Sequence, residues 1–360
     1  MKAIKVSTFL PVSIKAFAIV SMIVLCSGCN APAGAQSSKT KNKDKGSKNA
    51  GQPAAAKQKD LSVQREGGSY VKTSLNAYSF SKALNDKIKG RGNGMSLFQL
   101  MDFAAENNFD AVDLTGYFFP GYPAVPSDEF INDVKKYAFQ QGLDISGTGV
   151  RNDFANPDPA KRAADVKHVK EWIDVAAKLG APVVRIFSGV IPEGMENKWD
   201  SIAVYMAASI RECAEYGEKK GVLVGVQNHG DFLKTADQTI QLVKLVNSDW
   251  FGVIVDTGYF ITPDPYVDIE KVMPYAMNFQ VKESVFGAAS TVRTGLVRLM
   301  QIIKRSGYRG YLPIETLSAA GGNKNKKDKD PSQVRPYDPY KLVPEFLKEV
   351  KAARTAVFND

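Results

Sequence analysis

From residue 70 onward the sequence repeats one pattern eight times: a short β-branched or apolar run, then a longer stretch with helical spacing. The runs lie at 74–80, 111–114, 144–147, 183–187, 222–227, 252–256, 277–282 and 311–315. Between them, apolar residues recur every three or four positions, as at Leu97, Leu100, Met101 and Ala104 in 96–107, or Val169, Trp172, Ile173 and Ala176 in 160–179. That spacing predicts further helices over 128–141, 202–219, 235–246, 291–305 and 340–354, with a shorter one near 268–275. Gly180, Gly221 and Gly307 stand where helices should stop, since glycine takes the left-handed conformation that ends a helix. Eight βα units in roughly 290 residues predict a closed (β/α)8 barrel of the TIM class, one domain over 67–360. An open doubly wound sheet would place a glycine-rich phosphate turn directly after its first strand. The run GRGNG at 90–94 lies well downstream of that position and reads as a flexible turn.

The first 66 residues cannot join this barrel. Lys2, Lys5 and Lys15 precede an apolar run from Ala16 to Leu25, too short to span a bilayer, and Cys26-Ser27-Gly28-Cys29 closes it with small residues. This predicts a signal peptide over 1–29. Its end resembles the lipobox of bacterial lipoproteins, with Cys29 as the lipidated residue, although Cys26 stands where Leu is usual. Residues 30–66 are mostly Ala, Gly, Ser, Asn, Gln and Lys, a flexible tether whose ends would lie roughly 30–35 Å apart. The chain is therefore expected to be exported and held to the cell envelope by a lipid anchor.

Charge bears on the partner. The chain carries a formal +9, but residues 1–68 hold 11 Lys and Arg against 3 Asp and Glu, and the remainder holds 36 against 35. The folded part is nearly neutral, so a nucleic-acid partner is not expected. The basic stretch 323–330 reads as a solvated loop. Cys213, the one cysteine outside the signal region, sits in a helical pattern without a recognisable His or Asn partner and reads as a core thiol.

In a parallel barrel the chemistry gathers where the strands end, and alternation tells which end residues face inward. Strand three leads to Arg151 and Asp153, strand four to Arg185, strand five to Gln227 and His229, and strand six to Asp256 and Tyr259. Strand seven ends in Gln280, Lys282 and Glu283, and strand eight in Glu315. Gln227, Asp256, Gln280 and Glu315 come from four consecutive strands at equivalent depth. Such converging oxygen ligands suit a hard divalent ion, Mn²⁺ or Mg²⁺.

The segments SLFQL (96–100), FDAVDL (109–114), AKLGAPVVRIFSG (177–189), GVLVGVQNH (221–229), VDTG (255–258), QVK (280–282) and GYRGYLPIE (307–315) together resemble the sugar phosphate isomerase/epimerase family, the xylose isomerase-like barrels. The resemblance implies a divalent metal held by Glu, Asp, His and Glu from strands five to eight, with two Glu flanking the carbon that loses its proton. Asp256 and Glu315 match that pattern. Gln227 stands where the family has Glu, and Gln280 where it has His. Gln227 cannot act as a base, so the resemblance implies a one-carboxylate mechanism in which Glu315 takes a proton beside a carbonyl. Asp256 and the metal would polarise that carbonyl, His229 or Lys282 would donate, Glu283 is a reserve acid/base, and Arg151, Arg185 and Tyr259 would bind substrate. A non-phosphorylated sugar or keto-sugar is the expected substrate, because sugar phosphates are scarce outside the cytoplasm.

Two further readings share the barrel: a keto-glycoside lyase or hydratase, and a non-catalytic carbohydrate-binding lipoprotein. A zinc endonuclease needs many histidines, and this chain has only His168 and His229. A retaining glycosidase needs two carboxyls roughly 5 Å apart, which strand four does not supply.

Overall fold

The computed structural model describes residues 71–358, apart from 231, 289 and 318–336. The expected signal peptide with Cys29, the tether and the basic stretch 323–330 lie outside the described residues. Eight parallel strands hydrogen-bond in chain order and close into a barrel. They are β1 (Lys72–Asn76), β2 (Ala111–Thr115), β3 (Asp144–Gly149), β4 (Val183–Phe187), β5 (Leu223–Gln227), β6 (Phe251–Asp256), β7 (Ala276–Lys282) and β8 (Tyr311–Glu315). Closure sets Lys72 opposite Tyr311 and Leu75 opposite Ile314. Parallel neighbours require a long crossover, and helices supply it. These are α1 (Ser81–Ile88), α2 (Leu97–Glu106), α3 (Asp128–Gln140), α4 (Pro159–Leu179), α5 (Trp199–Lys220), α6 (Ala236–Val246), α7 (Pro265–Val272), α8 (Leu296–Ser306) and α9 (Pro339–Phe358).

Local chemistry starts and stops these helices. Ser96 and Gln99 form a reciprocal capping box on α2, and Asp158 caps α4 ahead of Pro159. The glycines expected to end α4, α5 and α8 do so in the left-handed region, at φ 79°, 70° and 69° for Gly180, Gly221 and Gly307. The strands then divide their residues by parity. Val224 and Val226 of β5, like Val253 and Val255 of β6, are buried in the core, and the intervening Gln227, Ile254 and Asp256 belong to the barrel interior. Helix faces such as Val169, Trp172, Ile173 and Ala176 of α4 complete this core.

Two of the boundaries that depart from the sequence reading bear on the barrel mouth. The first strand, expected over 74–80, ends at Asn76. There the Asn76 side chain accepts the Tyr78 N–H at 2.8 Å and caps a 3-10 turn (Ala77–Phe80) that runs into α1, a helix the apolar spacing did not announce. The helix expected from 291 begins at Leu296, because Thr294 is stitched back to the end of β7. Its N–H donates to Glu283 O at 2.8 Å and its hydroxyl to Lys282 O at 2.8 Å.

Candidate active site

The barrel interior carries polar side chains at several depths. Ser74 and Ser146 share a hydroxyl contact of 2.7 Å, and the Asn278 amide donates to Ser146 O at 3.0 Å. One level nearer the strand ends, the Asn76 amide donates to Gln280 Oε1. Above these lies an ionic cluster drawn from β6, β7 and β8 and tied to β5 by the Gln227 amide.

Asp256, at the end of β6, is 0% exposed and fully engaged. Its Oδ1 accepts the Gly258 N–H at 2.9 Å, and its Oδ2 accepts the Gln227 amide at 2.6 Å. Asn228 fixes the backbone on both sides, accepting from Asp256 N–H at 2.8 Å and donating to Asp256 O at 2.9 Å. The Lys282 ammonium then lies 3.4 Å from Asp256 Oδ2 and 2.5 Å from Glu315 Oε1. Burial alone would lower the Lys282 pKa, but the two carboxylates outweigh it and hold Lys282 above its ordinary range, hence protonated. Two buried carboxylates share that one ammonium. Burial therefore raises the Asp256 carboxyl in spite of Lys282, with Glu315 adding to the rise.

The seat of Lys282 is built by the turn DTG at 256–258. Thr257 Oγ1 accepts the Lys282 N–H at 2.9 Å. Gly258 gives the side chain room: a Cβ there would lie 2.8 Å from Lys282 Cγ and 3.2 Å from its Cβ. Glycine is thus required at 258 for the lysine stem to pass.

Around the mouth, rings and cations alternate. Arg151 lies over the Tyr117 ring at 4.6 Å and Arg185 over the Phe187 ring at 4.0 Å. Phe187 meets His229 edge-on at 4.9 Å, His229 stacks on Tyr259 at 4.3 Å, and Lys282 lies 5.6 Å from the Tyr259 ring centre. Arg185 is committed, donating to Val150 O at 2.6 Å and to the Tyr117 hydroxyl. Burial pushes the Tyr259 hydroxyl up to about 12 against the pull of Lys282, so it stays a neutral donor. Asp153 serves its own loop, accepting the Ala155 N–H at 3.1 Å.

Of the residues expected at the site, the structure brings together Gln227, Asp256, Gln280, Lys282 and Glu315 inside the barrel, with Arg185, His229 and Tyr259 around them and Arg151 on the exposed rim. Glu283 is a correction. Glu283 lies just past the end of β7 and accepts Arg293 at 2.7 Å, which also holds Glu349 of α9 at 2.6 Å. The carboxylate expected as a reserve acid/base is thus tied to Arg293 and not to the Lys282 cluster.

The sequence reading missed Asn76, Tyr117, Phe187 and Asp113. Asp113 lies on β2 and is 5% exposed, and its carboxyl is raised to about 7 by burial, with Glu315 adding and Arg185 opposing. Parity within AVDLT at 111–115 would have turned it inward with Ala111 and Thr115, had strand two been read as the others were.

A divalent ion does not fit this donor set. Three of the four groups expected to ligate it are already engaged: Asp256 accepts from Gln227 and is ion-paired with Lys282, Glu315 is ion-paired with Lys282, and Gln280 accepts from Asn76. A doubly charged ion about 4 Å from the ammonium would be repelled by about 8 kcal/mol at an effective dielectric of 20. Among the described residues no group of three or more His, Cys, Asp or Glu is placed to hold a metal.

A closed (β/α)8 barrel with its ionisable cluster at the C-terminal ends of the strands has the layout of the TIM-barrel enzymes. A family model described as xylose isomerase-like TIM barrel matches residues 101–335, and the chain belongs to that family. An uncharacterised protein of Methanocaldococcus jannaschii is 23% identical over 257 residues, covering 64% of this chain and 83% of its own. In fold, the chain is similar to D-psicose 3-epimerase from Clostridium cellulolyticum H10, solved with D-tagatose (TM-score 0.63, 16% identity, 79% of this chain and 99% of that one). It is also similar to 3-keto-D-glucoside 4-epimerase from E. coli (TM-score 0.56, 11% identity, 71% and 94%). At these identities the likeness is one of fold.

Proposed function

We propose that this protein is an exported, lipid-anchored sugar isomerase/epimerase-like enzyme that moves the proton on the carbon beside a carbonyl of a non-phosphorylated sugar or keto-sugar. The observation that carries this reading is the Glu315 carboxylate, 2.5 Å from the Lys282 ammonium, at the mouth of the barrel beside the rings of Tyr259 and His229. Such a pair sets a base next to a cation, which enolisation needs, because negative charge grows on the carbonyl oxygen as the C–H proton leaves.

Glu315 takes the carbon-bound proton. The C–H electron pair becomes the C–C double bond of an enediolate, and the carbonyl π pair moves onto oxygen. Return of the proton from Glu315 to the neighbouring carbon, with the hydroxyl proton shifting between the two oxygens, gives one-face aldose–ketose isomerisation. Tyr259, His229 and Phe187 offer ring faces for the C–H side of a sugar, and Arg151 on the exposed rim meets its hydroxyls. Gln227 and Asp256 hold the cluster in place and do not move protons. Attachment through Cys29 and the tether 30–66 would keep the barrel outside the cytoplasm, where free sugars and glycosides are met.

The test incubates the full-length protein in detergent with aldoses, ketoses and 3-keto-glycosides in D2O and follows C–H exchange by ¹H NMR. Exchange at the carbon beside the carbonyl, abolished by Glu315→Gln, is the expected result. Saturable sugar binding by calorimetry with no exchange in any substrate would overturn the catalytic reading in favour of a carbohydrate-binding barrel.

A further inference from the structure

We propose that the Lys282 ammonium is the resident cation of this site, standing where the strand-end carboxylates and amides would otherwise gather a divalent metal ion, so that the protein neither binds nor needs one. The inference deepens the function proposed above, and only its catalytic clause rests on that reading.

Three observations converge. The ammonium is held by both acidic groups of the cluster, Glu315 at 2.5 Å and Asp256 at 3.4 Å. Its position is built into the backbone. Three successive residues of one turn serve it: Asp256 as counter-charge, Thr257 as acceptor of the Lys282 N–H, and Gly258 as the gap through which the stem passes. One of the two amide oxygens of the set is also taken, since Gln280 Oε1 accepts from Asn76. The amides at 227 and 280 bring no negative charge to the donor set. One ammonium against two carboxylates leaves a single net negative charge, whereas a divalent ion beside that ammonium would reverse the sign.

In the reaction the consequence is specific. Lys282 Nζ donates a hydrogen bond to the carbonyl oxygen as its charge grows and keeps its own proton, while Glu315 receives the proton leaving carbon. The oxyanion is met by a fixed ammonium in place of a Lewis acid.

The test does not need the substrate. Full-length protein is stripped with chelator, dialysed against Mn²⁺ and assayed for bound metal by elemental mass spectrometry. Beside it run Asp256→Asn, Gln280→His and the pair Lys282→Gln with Gln280→His, each checked for fold by circular dichroism. Wild type and Gln280→His alone should bind less than a tenth of an ion per chain, and the Lys282→Gln pair close to one. Near-stoichiometric Mn²⁺ on wild type, lost in Asp256→Asn, overturns the proposal, as does a folded pair variant that still binds none. Should the pair variant not fold, the wild-type measurement against Asp256→Asn decides alone. Where a substrate shows exchange, chelator should leave the wild-type rate within twofold and Lys282→Gln should lower it by about a hundredfold. A rate abolished by chelator and restored by Mn²⁺ overturns the proposal. Absence of exchange with every sugar defeats the catalytic reading but leaves the metal result standing.

Discussion

Asp113→Asn should make this protein more stable, and increasingly so as pH rises. The wild-type carboxyl is buried inside the barrel wall, 5% exposed, and its pKa is raised from 3.8 to about 7, chiefly by burial. An unfolded chain loses this proton near 3.8, so between 3.8 and 7 the folded state holds a proton that the unfolded state has released. Proton binding then favours the folded form only while the proton is present. Stability contributed by this group is complete below the unfolded value, declines through the interval, and is gone above the folded value. The full penalty, about 3 pK units at 1.36 kcal/mol each, is about 4 kcal/mol. Roughly 3 kcal/mol of it develops between pH 5 and 8.5. Asparagine keeps the shape of the side chain and has no charge to desolvate. Urea unfolding of both proteins at the two pH values reads the effect as a gap in unfolding free energy that widens with pH in favour of the variant. A gap that stays flat across the interval would refute the reasoning. So would a variant less stable than wild type at pH 8.5, which would mean that the Arg185 attraction to Asp113 outweighs burial.

Other expectations follow from the same contacts. Gly258→Ala puts a methyl within 2.8 Å of Lys282 Cγ, so it should cost about 1–3 kcal/mol in thermal unfolding and lower any turnover with it. Turnover held at the wild-type level would show that the Lys282 position is not critical. Tyr259→Ala removes the ring between His229 and Lys282 and should raise KM for a sugar more than it lowers kcat, by about tenfold. Glu283→Gln should leave kcat within twofold, because that carboxylate faces Arg293 and the outer helix layer. Native Cys213 should resist thiol reagents at neutral pH, since burial raises its thiol to about 12; labelling that precedes unfolding would contradict this.

Much of the barrel can be read from the chain, because its signals are local. Helix caps, stop glycines and the 2.0 and 3.6 periodicities depend on residues within a few positions of one another, and their eightfold recurrence leaves few closed solutions. The strand ends were legible for the same reason: parity alone turns Gln227, Asp256, Gln280, Lys282 and Glu315 toward one another. Parity stops helping at Glu283, which lies one residue past the end of β7 and is placed by its pairing with Arg293. The end of β1 was not legible, because the run 74–80 continues as a strand pattern past Asn76, whose side chain caps a turn there.

What the sequence could not decide is which atoms meet at the centre. A lysine and four oxygen-bearing side chains from different strands are compatible with a metal held by the oxygens and the lysine swung aside, or with the lysine lying among them. The choice depends on the Gly258 gap, the Thr257 acceptor and the Asn76 amide, residues up to 206 positions from Lys282 along the chain. Only barrel closure, which sets β1 against β8 and so near β7, brings Asn76 to Gln280, and the side-by-side pairing of β6, β7 and β8 puts the ammonium between Asp256 and Glu315. Electrostatics at a few ångströms settles the outcome, and those few ångströms exist only once the strands have paired.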